Sequence, residues 1–541
     1  MRLTRPSISS TWLSVLVAGY LLFLLNGSFW RAATVYYDGR PVDFAAFIIV
    51  LALLHFCVLL AFSAPYVIKP VFIALVMIGA GASYFVDTFG TIIDRDMIAN
   101  AIETTSTEAG HLMTPAYFMR LAIFGAIPSL LIVWVQIIHL PWWKKVRRNI
   151  VAILGCLVVA AALIAIDFST VASMWRAERE HMMSYLVPAT PVIGAISYGV
   201  KHYHEAGLIA APLGTDAHIG PVLATAGKPV LTVLVVGETA RAMNFGLNGY
   251  ARDTNPALEK RDVIAFTNVT SCGTATAVSL PCMFSNLGRD NYTSRKFLSS
   301  ENLVDVLTHA GIDTRWAENN TGSKKVADRI DFTNFYGAAD PQHCRGGECT
   351  DDVLLGYLRA QMAHLKTNTV LVLHSGGSHG PAYYLRYPET FHPFQPDCRS
   401  PQLSDCTDAE IINAYDNSIA YTDKVLADIV DLLEARTDLA TSMIYISDHG
   451  ESLGENGTYL HGLPYFAAPE TQIRVPMIAW LSTEYAQTMR LDASCLRGRA
   501  SEPLSHDNLF STVLGMMNVQ TTVYDRNLDA FAACRAPAPA A

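Results

Sequence analysis

The sequence predicts two architectures in one chain: five α-helices across a membrane, then an α/β domain outside it built on a largely parallel central sheet. Three observations carry this. Residues 1–170 are almost entirely apolar runs, whereas residues 225–541 have globular composition and hold most of the Asp, Glu and His. The whole chain is 51% hydrophobic and only 16% charged, with a mean hydropathy of +0.26, which is too apolar for a soluble protein of 541 residues. From residue 229 onward, β-branched runs ending in Gly beside an acid or a His alternate with helical periodicity.

Five runs reach the roughly 20 residues that a bilayer span needs. They are 12–30, 44–63, 67–86, 121–140 and 149–168. The first is long for a cleaved signal and no A-x-A site follows it, so it reads as an uncleaved anchor. Arg2 and Arg5 precede the first span, Lys69 sits at the second turn-around, and "KKVRR" (144–148) separates the last two spans. All lie on one face, and positive loops stay cytoplasmic. Loops 31–43 and 87–119 then face the other side, and five spans place the globular part outside. The expected divisions are a transmembrane domain (1–169), a bridging linker (170–224) and a globular domain (225–541). The linker string "SYLVPATPVIGAISYGVKHYHE" fits an amphipathic helix on the membrane surface or an ordinary packed linker equally well. The closing "CRAPAPAA" reads as a disordered tail.

A net charge of −9 leaves no basic footprint, which argues against a nucleic-acid partner. Cys57 and Cys156 fall within spans and read as small apolar residues. The other eight cysteines are all in the globular part. Cys272/Cys282, Cys344/Cys349 and Cys398/Cys406 are close in sequence, and Cys495 and Cys534 remain as a fourth candidate pair. An even count in short loops without C-x-x-C spacing fits disulfides in an oxidising compartment rather than a metal site, although spacing does not fix the connectivity.

In the globular part, "PVLTVLVVGE" (229–238), "TNTVLVLHSGGSHGP" (367–381) and "TSMIYISDHGES" (441–452) read as buried strands followed by polar clusters, and 411–436 reads as a helix. Ligand sites of parallel sheets lie at the carboxyl ends of the strands, so these clusters converge. Asp448 and His449 at one strand end, with Glu238 at another, offer hard oxygens and one imidazole, a set suited to a divalent ion such as Zn²⁺ or Mn²⁺. Each alone reads equally as a helix cap; their repetition at several strand ends makes the case.

Thr274, in "SCGTATAVSLPCMFS" (271–285), is an alcohol that a bound cation can convert to an alkoxide nucleophile. If it begins a helix, the helix N-terminus favours an anion beside it. It could equally cap that helix, but a Cys272–Cys282 bridge would hold its hydroxyl rigid, which an ordinary cap does not need. His379 and His461 are candidates for a second metal or for a leaving group. Lys324 is a candidate phosphate partner. His374 reads as structural, and His506 with Asp507 as a helix cap.

These strings resemble the lipid A phosphoethanolamine transferases of Gram-negative inner membranes, the group that includes the mobile colistin-resistance enzymes. The likeness runs through "VVGETARAMNFGLNGYARDTNP", "NVTSCGTATAVSLPCMFS", "HGPAYYLRYPETFHPFQPDC", "NAYDNSIAYTD", "SDHGESLGENGTYLHGLP" and the loop "MIANAIETTSTEAG". The resemblance implies a multi-pass inner-membrane protein whose periplasmic catalytic domain has an alkaline-phosphatase/sulfatase-like sheet. Glu238, Thr274, Asp448 and His449 match the family's principal zinc ligands, with Thr274 also the nucleophile. His379 and His461 match its second metal or substrate site. Asn319, Asn320 and Lys324 fall where the family contacts phosphoethanolamine. Asn100, Thr104 and Glu108 match positions tied to substrate binding, with Thr105 and Thr107 as near neighbours of the second. The close cysteine pairs match its disulfides.

The reaction so implied is transfer of phosphoethanolamine from phosphatidylethanolamine to a lipid A phosphate by a monomer, through a phosphorylated threonine, which lessens outer-membrane charge and gives polymyxin resistance. Related enzymes that move phosphoglycerol, or phosphoethanolamine onto a heptose or other glycan, share this plan and are the alternative. A non-catalytic membrane receptor would have no use for Thr274 beside metal ligands.

Overall fold

The structure, a computed structural model, describes residues 5–166, 182–338, 340, 342–345 and 348–536. The readings made for Arg2, for residues 170–181 of the linker and for the last five residues of the tail fall outside these. The chain divides into two compact units, Met1–Ile98 with Met113–Val200, and Ala99–Leu112 with Lys201–Ala541.

In the first unit, among the described residues, four helices are long and apolar enough to cross a membrane: Pro41–Ala61, Ile68–Phe89, Pro115–Trp134 and Trp142–Ala165. A fifth crossing requires counting the bent pair Ser10–Leu24 and Gly27–Tyr36, which meet at 71°. The uninterrupted span expected at 12–30 is therefore broken, and the buried Asn26 shows why. Its amide donates to the carbonyls of Leu21 and Val187, both at 2.8 Å, and its carbonyl accepts from Val187 N–H at 2.7 Å. A side chain that satisfies backbone groups lets the helix stop inside an apolar stretch. The basic "KKVRR" string is not a loop; it forms the opening turns of the helix Trp142–Ile166. Val58, Val151, Leu154 and Val158 stay exposed on these helices, an arrangement stable against lipid and not against water.

The second unit is organised by one eight-stranded sheet. Its strands are β1 (Val230–Gly237), β2 (Ile264–Thr270), β3 (Asp313–Glu318), β4 (Asp331–Asn334), β5 (Thr369–His374), β6 (Ala440–Ser447), β7 (Arg474–Leu481) and β8 (Leu504–Ser505). They lie in the order β8-β2-β7-β6-β1-β5-β3-β4. The run from β6 to β4 is parallel, while β7 pairs antiparallel with both β6 and β2, so the sheet is mixed. Every residue of β1, β5 and β6 is buried, as expected for strands covered on both faces. Each fully buried Val, Leu or Ile there contributes about 1.5–3 kcal/mol.

Four helices matter below: α1 (Arg95–Glu103), α2 (Ser106–Leu112), α3 (Thr276–Met283) and α4 (Asp408–Glu434). The helical pattern read at 411–436 corresponds to α4, which starts earlier because Thr407 and Glu410 form a capping box. The disulfides join Cys272–Cys282, Cys344–Cys349, Cys398–Cys406 and Cys495–Cys534. Cys57 and Cys156 are free.

Candidate active site

Strands β1 and β6 are parallel neighbours in register, Gly237 opposite Ser447, so the residues just beyond them leave the sheet side by side. Those residues are Glu238, Asp448 and His449. Asp448 N–H donates to the Gly237 carbonyl at 2.9 Å, and Asp448 Oδ1 accepts from the N–H groups of Thr239 (3.1 Å) and His449 (2.8 Å). That leaves Oδ2 facing inward, buried and with no hydrogen-bond partner. His449 Nε2 lies 3.3 Å from Glu238 Oε1 and 3.4 Å from Asp448 Oδ2. One donor atom from each of the three residues falls within 4.8 Å of the others, and all three side chains are buried.

Burial alone would raise the Glu238 carboxyl, but the hydrogen bond and charge of His449 hold it well below the usual range. Burial, then the neighbouring Glu238 charge, push Asp448 up to about 6. Burial would depress His449, yet the Asp448 and Glu238 carboxylates outweigh it and push the imidazole up to about 10. The cluster thus grips a proton where two carboxylates and a nitrogen converge. With Asp448 Oδ2 orphaned, the residues fit a divalent cation.

The turn after β5 closes over Glu238. Ser378 N–H donates to the Glu238 carbonyl at 3.0 Å, and Asp351 accepts from Gly376 and Gly377 N–H at 2.8 and 3.0 Å. Gly377 has φ +52°, and a Cβ there would meet the Glu238 carbonyl at 2.4 Å, so the close approach requires glycine. This turn delivers His379, whose ring centroid is 5.2 Å from that of His461; His461 in turn lies 4.4 Å from His449. His461 Nδ1 is 2.9 Å from Glu451 Oε2, and Tyr383 O–H donates to Glu451 Oε1 at 2.9 Å. Glu451 and Tyr383 therefore orient His461. Glu451 was present in the string "SDHGES" and went unread.

Thr274 does not begin a helix. Ala275 is the N-cap of α3, and Thr274 stands ahead of it in the loop, where its hydroxyl donates to the Leu463 carbonyl at 2.5 Å and its carbonyl accepts from Gly462 N–H at 2.8 Å. The hydroxyl that reaches Glu238 is that of Thr276, 3.0 Å from Oε2; sequence reasoning missed it. The loop is braced by the Cys272–Cys282 bridge and by Cys272 N–H donating to His506 Nδ1 at 3.1 Å. His506 is thus a buried strut rather than a cap; Ser505 caps that turn.

The remaining expected residues divide. Asn320 donates to Glu238 Oε2 at 2.9 Å. Asn319 points elsewhere, donating to Cys349 O and Asp351 Oδ1 at 2.8 and 2.9 Å. Strand residue His374 comes within 3.9 Å of Glu238 and 3.5 Å of Glu318. Lys324 Nζ pairs with Glu103 at 3.0 Å, and His379 Nε2 with Glu108 at 3.1 Å. Thr104 turns its hydroxyl back to the Asn100 carbonyl, whereas Thr105 reaches Tyr336 Oη at 2.8 Å.

Sheet order, strand-end acids and histidines, and preceding apolar helices define a membrane-anchored member of the sulfatase and alkaline-phosphatase class. Comparison with known proteins agrees: residues 231–519 match the sulfatase family, and residues 51–203 match the family described as phosphoethanolamine transferase EptA/EptB. The chain belongs to this phosphoethanolamine transferase family. It is 38% identical to phosphoethanolamine transferase EptA of Escherichia coli K12, covering 98% of each chain. It is 37% identical to phosphatidylethanolamine transferase Mcr-1 of Escherichia coli, covering 95% of this chain and 96% of that one. The structure of the integral membrane lipooligosaccharide phosphoethanolamine transferase A of Neisseria meningitidis superposes with a TM-score of 0.94 at 34% identity, covering 98% of this chain and all of that one. The protein is accordingly an integral inner-membrane protein with a C-terminal periplasmic domain.

Proposed function

We propose that the protein transfers phosphoethanolamine from phosphatidylethanolamine to a phosphate of lipid A, with Thr274 carrying the group between them. The observation that carries this is the buried Glu238–Asp448–His449 cluster, with Asp448 Oδ2 unpartnered, at strand ends next to a loop cross-linked around Thr274. The names of the relatives support the donor and the acceptor: one is called a phosphatidylethanolamine transferase, another a lipooligosaccharide phosphoethanolamine transferase.

Glu238, Asp448 and His449, with Thr274, would hold Zn²⁺, which when bound lowers the pKa of an alcohol and neutralises charge on phosphorus. The Thr274 oxygen forms a bond to phosphorus as the bond to the diacylglycerol oxygen breaks. The proton that the Thr274 hydroxyl gives up passes through His379 or His461 to that departing oxygen. In the second half, a lipid A phosphate oxygen attacks the same phosphorus and the threonine oxygen leaves, regaining a proton. Glu451 and Tyr383 fix the His461 ring, and the Cys272–Cys282 bridge fixes the loop of the nucleophile, so most of the rate comes from positioning and charge stabilisation. Lipid A so modified carries less net negative charge and binds cationic peptides such as polymyxin more weakly.

The test is mass spectrometry of lipid A and core sugars from cells expressing the chain. We expect a phosphoethanolamine increment on lipid A, lost in Thr274→Ala while the purified variant keeps its metal. An increment confined to the core sugars refutes the acceptor. Full activity in Thr274→Ala refutes the covalent route.

A further inference from the structure

Two carboxylates of one short segment pair with two basic side chains of the candidate site. Glu103, at the end of α1, pairs with Lys324 at 3.0 Å, and Glu108, in α2, pairs with His379 at 3.1 Å. The loop that carries Lys324 starts at Asn320, which donates to the cluster residue Glu238, and Lys324 Nζ also donates to the Thr321 carbonyl at 3.3 Å and hydroxyl at 3.2 Å. Lys324 itself has φ +50°, a left-handed conformation that side chains larger than glycine avoid.

The two ends of the Lys324–Glu103 pair differ. The lysine side chain is 9% exposed and the glutamate 41%. Leaving a nearly buried ammonium without its anion is costly, while its more exposed glutamate partner can turn toward solvent. A phosphoethanolamine headgroup carries both signs, a phosphate and a primary ammonium two carbons apart. When its phosphate takes Lys324, the glutamate is left without a cation, and the headgroup brings one.

We propose that Glu103 is the receptor for the headgroup ammonium, capping Lys324 in the resting protein and exchanging it for the ligand's own cation on binding. This deepens the transfer reaction proposed above and rests on it. Zwitterionic headgroups satisfy both partners of the opened pair; a phosphoglycerol headgroup satisfies only Lys324 and leaves Glu103 unpaired beside a phosphate. Glu103 thereby selects the donor lipid. Glu108 stays with His379, where it is the less exposed of the two carboxylates.

The test uses the full chain in detergent, with phosphatidylethanolamine, its N,N-dimethyl analogue and phosphatidylglycerol as alternative donors. Glu103→Gln is expected to lower kcat/KM for phosphatidylethanolamine by about 10- to 100-fold, the range of one charge-assisted hydrogen bond, mainly through KM. The preference over phosphatidylglycerol should fall by a similar factor, and Glu103→Asp should restore part of both. Thr105→Val, which breaks the contact with Tyr336 and loosens the same segment, is expected to lower turnover without changing the donor ratio. A Glu103→Gln protein that keeps the wild-type donor ratio, or alters it no more than Thr105→Val does, overturns the inference and leaves the transfer reaction standing. If Glu103→Gln does not fold, an unchanged donor ratio in Glu103→Asp overturns it in the same way. A wild-type protein that moves no phosphoethanolamine overturns both.

Discussion

Besides His449, the side chains of Thr239 (Oγ1 at 2.5 Å), Thr276 (Oγ1 at 3.0 Å) and Asn320 (Nδ2 at 2.9 Å) donate to Glu238. Donors of this kind orient a ligating carboxylate, and losing one typically lowers metal affinity about 10- to 100-fold. We therefore expect Thr276→Val to weaken metal binding by that factor in a chelator competition and to recover transfer in excess metal, whereas Thr274→Ala loses transfer at any metal concentration. The two threonines illustrate what a sequence hides. They are two residues apart in one polar loop, and which hydroxyl meets Glu238 is decided by α3 starting at Thr276. Thr104 and Thr105 differ in the same way: both lie in the break between α1 and α2, and there the first turns its hydroxyl back to Asn100 while the second reaches Tyr336. The convergence of Glu238, Asp448 and His449 was legible since these residues directly follow two long apolar strands; hydroxyl contacts depend on local phase, which composition does not encode.

His506 provides a second residue-scale prediction. Its Nε2–H donates to the Ser447 carbonyl at 2.9 Å, leaving Nδ1 to accept from Cys272 N–H. Burial pushes this imidazole down to about 4 from its ordinary 6.5. The unfolded chain then binds more protons than the folded one between those values. Stability from this group is complete above the unfolded value and falls by about 3 kcal/mol as pH drops through the window. His506→Gln retains a donor and an acceptor but cannot titrate. Thermal unfolding across the window should show the variant losing less stability than the wild type; parallel curves would contradict the assignment.

At the scale of elements, two disulfides separate stability from activity. Cys495–Cys534 closes a sequence separation of 39 residues and Cys272–Cys282 one of 10. Chain entropy assigns these about 4 and about 3 kcal/mol. Paired Ser substitutions should thus lower the melting temperature more for the long loop, while the short loop, which holds Thr274, should cost more transfer activity. The reverse order in activity would show that the bridge does not position the nucleophile. Elements differed in legibility for comparable reasons. Strands β1, β5 and β6 announced themselves as apolar runs. Strand β7 did not, because Pro476 interrupts it; proline lacks the N–H for pairing, and the register shifts between Val475 and Met477. The break at Asn26 was equally hidden, since its partner Val187 lies far along the chain.

At the scale of the molecule, residues 99–112 lie between two membrane spans in sequence yet belong to the periplasmic unit. Glu103, Thr105 and Glu108 reach Lys324, Tyr336 and His379, and His111 Nδ1 lies 3.5 Å from Glu348. Hydropathy could place this segment outside the membrane but not assign it to a domain. A fragment beginning at Lys201 keeps the sheet, the cluster and all four disulfides and lacks only these contacts from its unit. It should fold and bind metal as the full chain does, because its core and ligands are intact, while its transfer from phosphatidylethanolamine vesicles should fall about 100-fold or more, two charge-assisted contacts being lost. Loss of membrane anchoring also slows such a fragment by lowering local lipid concentration. The full chain carrying both Glu103→Gln and Glu108→Gln retains its spans and removes that effect. If this double variant transfers at the wild-type rate while the fragment is inactive, the segment's carboxylates have no part in the reaction and anchoring explains the whole loss.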